Sequence, residues 1–259
     1  MKANYHTHTY RCRHAQGDDR EYIEQAILSG MNVLGFADHC PWIFENDYDS
    51  QIRMKPSEVD EYFSSLLALK EEYAKDITIY IGFESEYIPE LMEKQDELLS
   101  GYPLDYMIIG QHFNEPEYRS HYNGRGTNDL DQFTRYIELI IEGLESGRYK
   151  YVAHPDLLYY AGEEATRIEQ YTRLCRYFEE HDLPIEINLL GLKNGAHYPS
   201  DRLLRIAHEV GNTAIIGIDA HTPELLNDAS SIELCSTVAS NYGIPLIDYL
   251  PGLGPNISE

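Results

Sequence analysis

The sequence predicts a single-domain α/β protein whose parallel strands curl into a closed or nearly closed barrel. Three observations carry this. Seven short apolar, β-branched runs alternate with longer amphipathic runs along the chain, the pattern of βα units joined in parallel. The length, 259 residues, suits one barrel-sized core. A doubly wound open sheet is the alternative, but no G-x-G-x-x-G follows the first strand.

The elements follow in order. NYHTHT (4–9) reads as the first strand and DDREYIEQAILSG (18–30) as the first helix. NVLGFADH (32–39) is the second strand, followed by a long loop over 41–56 and a helix over 57–76, with Ser57 a plausible cap. ITIYIGFESEY (77–87) is the third strand, with a short helix over 89–99 after it. DYMIIGQHF (105–113) is the fourth, followed by a second long loop over 114–128 and a helix over 129–146 opened by Asp129. YKYVAHP (149–155) is the fifth strand, with a helix over 165–182. LPIEINLLG (183–191) is the sixth, with a helix over 200–210 capped by Ser200. NTAIIGIDAH (212–221) is the seventh, and a helix over 228–243 ends the pattern. Neither an internal repeat nor a linker interrupts it, so residues 1–259 read as one domain.

Composition narrows the function. A hydrophobic fraction of 42% and a charged fraction of 25% are those of an ordinary soluble globule. With no apolar leader and no stretch of membrane-spanning length, a cytoplasmic location is expected, with no membrane partner. The formal net charge of −24 repels phosphate backbones, and no basic stripe offsets it, so nucleic-acid binding is not expected. Cys12, Cys40, Cys175 and Cys235 form no C-x-x-C pair, which fits free thiols. Cys12 and Cys40 lie beside histidines, so thiolate ligation stays open.

The polar residues fall where a barrel would use them. His6 and His8, two apart on an extended run, point the same way, and His14 follows in the loop. The later strands end in Asp38-His39, Glu84 (with Glu86), His112, His154, Glu186 with Asn188, and Asp219-Ala220-His221. All strand C-termini of a parallel barrel converge on one rim. Seven of the eleven histidines therefore meet Glu84 and Asp219 there, while His121, His181, His197 and His208 do not. Nine imidazole and carboxylate groups exceed one four-coordinate ion and suit two or three ions with a bridging carboxylate, of zinc, manganese or iron. Such a site activates water, most naturally against a phosphate ester.

In HTHTYRCRHA, FADHCP, GFESEY, IIGQHF, AHPDLL, EINLLGLKNGAHYPS and IGIDAH, in order from residue 4 to residue 221, the chain resembles the PHP (polymerase and histidinol phosphatase) domain phosphoesterases, most of all their monofunctional histidinol-phosphatase branch. The resemblance implies a distorted (β/α)7 TIM-like barrel and three divalent or trivalent metal ions. One ion would be held by His6, His8, Glu84 and Asp219, a second by Glu84, His112 and His154, and a third by His14, His39 and His221. Glu84, Asp219 and His221 would also be catalytic. A hydroxide bridging two metals would attack phosphorus in line, which requires no protein general base. Lys193 matches a family position that is usually basic and is the first candidate for the phosphate clamp, with Arg13 and Arg119 behind it. The chain departs from the family in having Leu157, Leu158, Tyr159 and Tyr160 where the branch has a Lys or Arg, and GQHF in place of a G-S-x-H form. Asp38, Asp156 and the loop tyrosines are candidates for leaving-group protonation, with orienting His39 and His154 the other role open to Asp38 and Asp156.

The expected partner is a small-molecule phosphate ester, L-histidinol phosphate first. A nucleotide, sugar phosphate or phosphotyrosine is the alternative that keeps the chemistry. An amidohydrolase-like C–N hydrolase shares H-x-H and a strand-terminal Asp but has no counterpart to the His14, His39 and His221 set. A metal-binding protein without turnover is the non-enzymatic alternative.

Overall fold

The computed structural model describes residues 1–256. Four parallel strands, β1 (Ala3–Asn4), β2 (Val33–His39), β3 (Thr78–Ser85) and β4 (Tyr106–Ile109), pair in that order, and β5 (Ile185–Asn188) pairs in parallel with β6 (Ala214–Gly217). Single bridged residues join these two ladders. Val152 bridges to Ile109 on one side and Ile185 on the other, and Thr7 bridges to Ala220. At the second junction the His8 amide donates to the Ala220 carbonyl at 2.9 Å, and the Ala220 amide donates to the His6 carbonyl at 3.1 Å. A curled parallel sheet in one domain results, carried round toward closure by these bridges.

Two expected strands are much shorter than their apolar runs. The run over 149–155 pairs only at Val152, because His154 takes a left-handed conformation (φ 31°) and its carbonyl accepts from Leu157 in a turn. The first run ends as a ladder at Asn4, whose side chain replaces the next rungs. Its Oδ1 accepts from the Ile218 amide at 2.9 Å, and its Nδ2 donates to the His6 carbonyl at 3.0 Å.

Helices α1 (Asp19–Leu28), α2 (Val59–Glu72), α3 (Met92–Leu99), α4 (Leu130–Glu145), α5 (Glu164–Glu180), α6 (Leu189–Lys193), α7 (Asp201–Val210) and α8 (Ala229–Tyr242) alternate with the strands. Asp18 and Glu21 form a capping box on α1, and Asp129 and Ser200 cap α4 and α7 as their sequence positions predict. Ser57 does not cap α2; it lies inside a 3-10 turn, Pro56–Glu58. α6 was expected to be strand. Asn188 stops β5 by accepting the Gly191 amide at 2.7 Å and opening a helix instead.

Strand alternation divides the core. Val33, Ala37, Tyr80, Tyr106, Ile108 and Ile215 form one buried cluster inside the sheet with Tyr5, Tyr151, Leu250 and Leu253. The other parity, including Leu34, Phe36, Ile81, Phe83, Met107 and Ile216, packs outward with helix residues such as Tyr22, Leu66, Phe133 and Tyr136. Continuing the inward parity along each strand leads to His39, Glu84, His112 and Asp219, which stand above the apolar floor. No helix among the described residues is long and apolar enough to cross a membrane.

Candidate metal centre

Glu84 lies at the centre of the rim. Its Oε2 is 3.5 Å from His6 Nε2, 3.4 Å from His8 Nε2 and 3.0 Å from His39 Nδ1. Its Oε1 is 3.0 Å from His154 Nε2 and 3.6 Å from His112 Nε2. Asp219 Oδ1 completes one face, 3.4 Å from His6 Nε2 and 3.3 Å from His8 Nε2. The His39 and His154 contacts are of hydrogen-bond length, but the other five, at 3.3–3.6 Å, are longer than good hydrogen bonds; about 3.3–3.6 Å is the edge of a tetrahedron drawn round an ion with bonds of about 2.0–2.2 Å.

Unsatisfied atoms point the same way. His6 Nε2, His8 Nε2 and both Glu84 oxygens are buried with no hydrogen-bond partner, a costly state unless something binds them. The residues therefore fit an ion. Three further groupings bring ligand atoms within 4.8 Å of one another: His14 with His39 and His221, His8 with His39 and Glu84, and His8 with Cys12 and His221. Cys12 is thus the one cysteine grouped with histidines among the described residues. Burial pushes its thiol pKa up, against a hydrogen bond from His221 that lowers it.

Partners on the far ring nitrogens orient the imidazoles. His6 Nδ1 lies 2.8 Å from Glu186 Oε1, His112 Nδ1 3.2 Å from Glu86 Oε1, and His14 Nδ1 2.7 Å from the Cys12 carbonyl. Each such contact leaves the other nitrogen free to ligate. Glu186 also accepts from the Tyr151 hydroxyl at 3.1 Å and the His154 amide at 2.8 Å. Asp38 and Asp156 do not take this role. Asp38 accepts from the Thr9 amide and hydroxyl at 2.8 and 2.6 Å, and Asp156 from the Ser200 amide at 2.6 Å.

Electrostatics and backbone agree with a built site. Burial alone would raise the Glu84 pKa, but His112, His6 and His39 outweigh it and hold the carboxyl well below the ordinary range. Burial lowers the His39 pKa to about 3, so that imidazole is neutral and available as a ligand. Two of the rim residues, His154 and Asp219, have positive φ (31° and 55°), strain of the kind that functional sites retain. At Gly110 an added Cβ would fall 1.9 Å from Glu84 Oε1, so only glycine lets that carboxylate in.

Residues 4–189 match the PHP domain family. The chain belongs to this family. Among curated relatives of this PHP protein, a probable histidinol-phosphatase of Deinococcus radiodurans is 28% identical, over 84% of this chain and 85% of that one. A probable histidinol-phosphatase of Schizosaccharomyces pombe is also 28% identical, covering 86% of this chain and 81% of that one. Of solved structures, the histidinol phosphate phosphatase of Lactococcus lactis, complexed with zinc, L-histidinol and phosphate, superposes with a TM-score of 0.70, 20% identity and 95% coverage of each chain. The putative histidinol phosphatase of Listeria monocytogenes gives 0.71, with 20% identity, 89% of this chain and 99% of that one. Both share the fold.

The rim of the PHP domain opens into a cavity of about 520 Å³ lined by His14, His39, Glu84, His112, His154, Asp219 and His221, with Ile52, Phe113, Tyr122, Arg125, Leu190, Asn194 and Tyr198 as its other walls. The three cations favoured from sequence stand elsewhere. Lys193 Nζ binds Asp228 Oδ2 at 2.6 Å. Arg13 reaches Asp49 at 3.3 Å and the Ser50 carbonyl. Arg119 pairs with Glu90 and Glu115 beside a separate surface cavity. The cation on the wall is Arg125, which makes no ion pair or side-chain hydrogen bond among the described residues. Its only sequence signal was its place in the long loop over 114–128. His181, His197 and His208 bind the carbonyls of Tyr177, Leu157 and Gly243, and His121 lines the surface cavity beside Arg119.

Proposed function

We propose that this PHP protein is a metal-dependent phosphomonoesterase whose substrate is L-histidinol phosphate, hydrolysed to L-histidinol and phosphate at a three-metal site. One observation carries the reading: six imidazoles gather in close groups with Glu84 and Asp219, His112 stands 3.6 Å from Glu84 on the same rim, and both oxygens of Glu84 are buried without a hydrogen-bond partner between them. The names of the relatives support the substrate. His6, His8, Glu84 and Asp219 would hold one ion, Glu84, His112 and His154 a second, and His14, His39 and His221 a third. When bound, zinc, manganese or iron ions supply Lewis acidity and a water activated near neutral pH.

The chain's own groups would do the rest. Arg125 would pair with the phosphate dianion, a bidentate match of guanidinium to phosphate oxygens. Tyr122 and Tyr198 hold their protons through neutral pH, since burial raises both phenols, Tyr122 to about 12. As protonated hydroxyls on the cavity wall they would be the donors to a departing alkoxide oxygen. Ile52, Phe113 and Leu190 are the apolar part of the wall and would shield a bound leaving group from water.

A second substrate class, another small phosphoester, is favoured by one feature of the wall. Its carboxylates, Glu84 and Asp219, are both in the ligand set, so none is left to meet the ammonium of histidinol. The gathered His14, His39 and His221 group speaks against a C–N hydrolase. The test is phosphate release from L-histidinol phosphate beside an aryl phosphate, on protein reconstituted with manganese or zinc. A kcat/KM many-fold higher for histidinol phosphate upholds the proposal. Comparable weak rates on both move the substrate to another phosphoester.

A further inference from the structure

The two long loops, over 41–56 and 114–128, meet at one buried guanidinium. Arg53, in the first loop, is 2% exposed. Its Nε donates to Glu117 Oε2 in the second loop at 2.9 Å. Its Nη1 donates to the Cys40 carbonyl at 3.0 Å and to Glu86 Oε2 at 3.1 Å, and its Nη2 to Glu86 Oε1 at 3.0 Å. Glu86, fully buried, faces His112 Nδ1 at 3.2 Å through that same Oε1. An unbroken chain of charge-assisted contacts therefore runs from Glu117 through Arg53 and Glu86 to a candidate metal ligand.

Other contacts make the two loops one unit. Glu117 accepts from the Ser50 and Tyr48 hydroxyls of the first loop, each at 2.9 Å. Phe44 packs edge-on against Tyr118 at 5.6 Å between ring centres. Trp42 Nε1 donates to Glu86 Oε2 at 3.1 Å. The residue next to Arg53, Ile52, lines the metal cavity from one loop, and Tyr122 and Arg125 line it from the other.

We propose that Arg53 and Glu117 are positioning residues: they lock both loops into a single clasp that sets the cavity wall and, through Glu86, holds His112 with its Nε2 toward the metal. Chemically, His112 donates a hydrogen bond from its Nδ1–H to Glu86, which leaves the Nε2 lone pair available. Glu86 serves only while its carboxylate is held in place, and the forked guanidinium, with one nitrogen on each carboxylate oxygen, holds it. A lysine in its place keeps the charge but cannot span Glu86, Glu117 and the Cys40 carbonyl from one nitrogen.

The proposal rests on reading His112 as a metal ligand, and its main readouts need no substrate. Zinc release to a chelator is followed in Glu117→Gln and Arg53→Lys, with amide exchange measured over 41–56 and 114–128 and the visible absorption recorded for cobalt-loaded protein. Leu66→Ala, in the buried face of α2, is the control for general destabilisation. The expected result is release about tenfold or more faster in both clasp variants, the range of outer-sphere changes. Faster exchange in both loops together and an altered cobalt spectrum are expected with it, none of them in the control. Release within twofold of the unaltered protein, exchange confined to one loop, an unchanged cobalt spectrum, or the same changes in Leu66→Ala would overturn the proposal. If Arg53→Lys does not fold, Glu117→Gln decides alone. A protein that shows the clasp behaviour yet hydrolyses no phosphomonoester would refute the proposed function and leave the clasp standing.

Discussion

His14 Nε2 and His221 Nε2 lie 3.0 Å apart, although 207 positions separate the residues in sequence. Each ring has its Nδ1 against a backbone carbonyl, Cys12 for His14 at 2.7 Å and Asp219 for His221 at 3.0 Å. A carbonyl only accepts, so both Nδ1 atoms carry hydrogen, and in two neutral rings the Nε2 lone pairs would face each other. Neutral rings would repel there, and a proton or a metal ion between them removes the repulsion.

That contact makes metal binding pH-dependent with a definite sign. Burial lowers the His221 pKa, but Asp219 and Cys12 together outweigh it and raise the pKa to about 11. Without metal the imidazole thus keeps its proton far above the ordinary range of about 6.5. A raised folded pKa means stability present below about 6.5 and lost as pH climbs toward 11. Metal needs the neutral ring and displaces the proton. Zinc titration at pH 7 should release a proton from this pair, measured by calorimetry in buffers of different ionisation enthalpy. Affinity should fall as pH is lowered; affinity independent of pH between 6 and 9 would contradict the pairing.

Glu84→Gln should remove the carboxylate shared by two ligand groups. Outer partners of metal ligands already cost about 10–100-fold in affinity when removed, so losing a shared ligand should cost about 100-fold or more. Elemental analysis should find fewer bound ions, and phosphate release should disappear. A variant with full metal content and normal turnover would remove Glu84 from the centre of the site.

Gly110→Ala tests the same carboxylate from behind. The new methyl would lie 1.9 Å from Glu84 Oε1 and 2.6 Å from His112 Cε1, so one or both must move. The sheet below is unaffected in kind, and circular dichroism should be close to that of the unaltered protein while metal content drops. Retention of every ion would show that the carboxylate has room to shift.

Much of this arrangement was legible in the sequence because strand ends carry it. H-x-H, D-A-H and single residues after β-branched runs keep their meaning whenever strands are parallel, since alternation and a common rim do the rest. The short pairing at Val152 was not legible, because the turn at His154 is a backbone conformation rather than a composition. Glu86, Glu186 and Arg53 are a different case. Their partners come from elements far away in sequence, and only the path of the first long loop brings Arg53 onto Glu86, the residue that faces His112. Lys193 failed for a similar reason: Asp228, 35 positions later, claims its ammonium.

Arg125 and Lys193 give opposite expectations at the cavity wall. Arg125 faces the cavity with its guanidinium unpaired among the described residues, whereas Lys193 spends its charge on Asp228 outside it. A hydrogen bond to a charged group is worth about 1.5–3 kcal/mol, or roughly 10–100-fold in kcat/KM for a contact with the transferred phosphate. Arg125→Ala should therefore lose about that much, with metal content unchanged because Arg125 is no part of the ligand set. Lys193→Ala should stay within about twofold, since a half-exposed pair contributes little. Steady-state kinetics of both variants on the best phosphomonoester decides it. The reverse outcome, a large loss at Lys193 and none at Arg125, would mean that substrate draws Lys193 away from Asp228 and into the site.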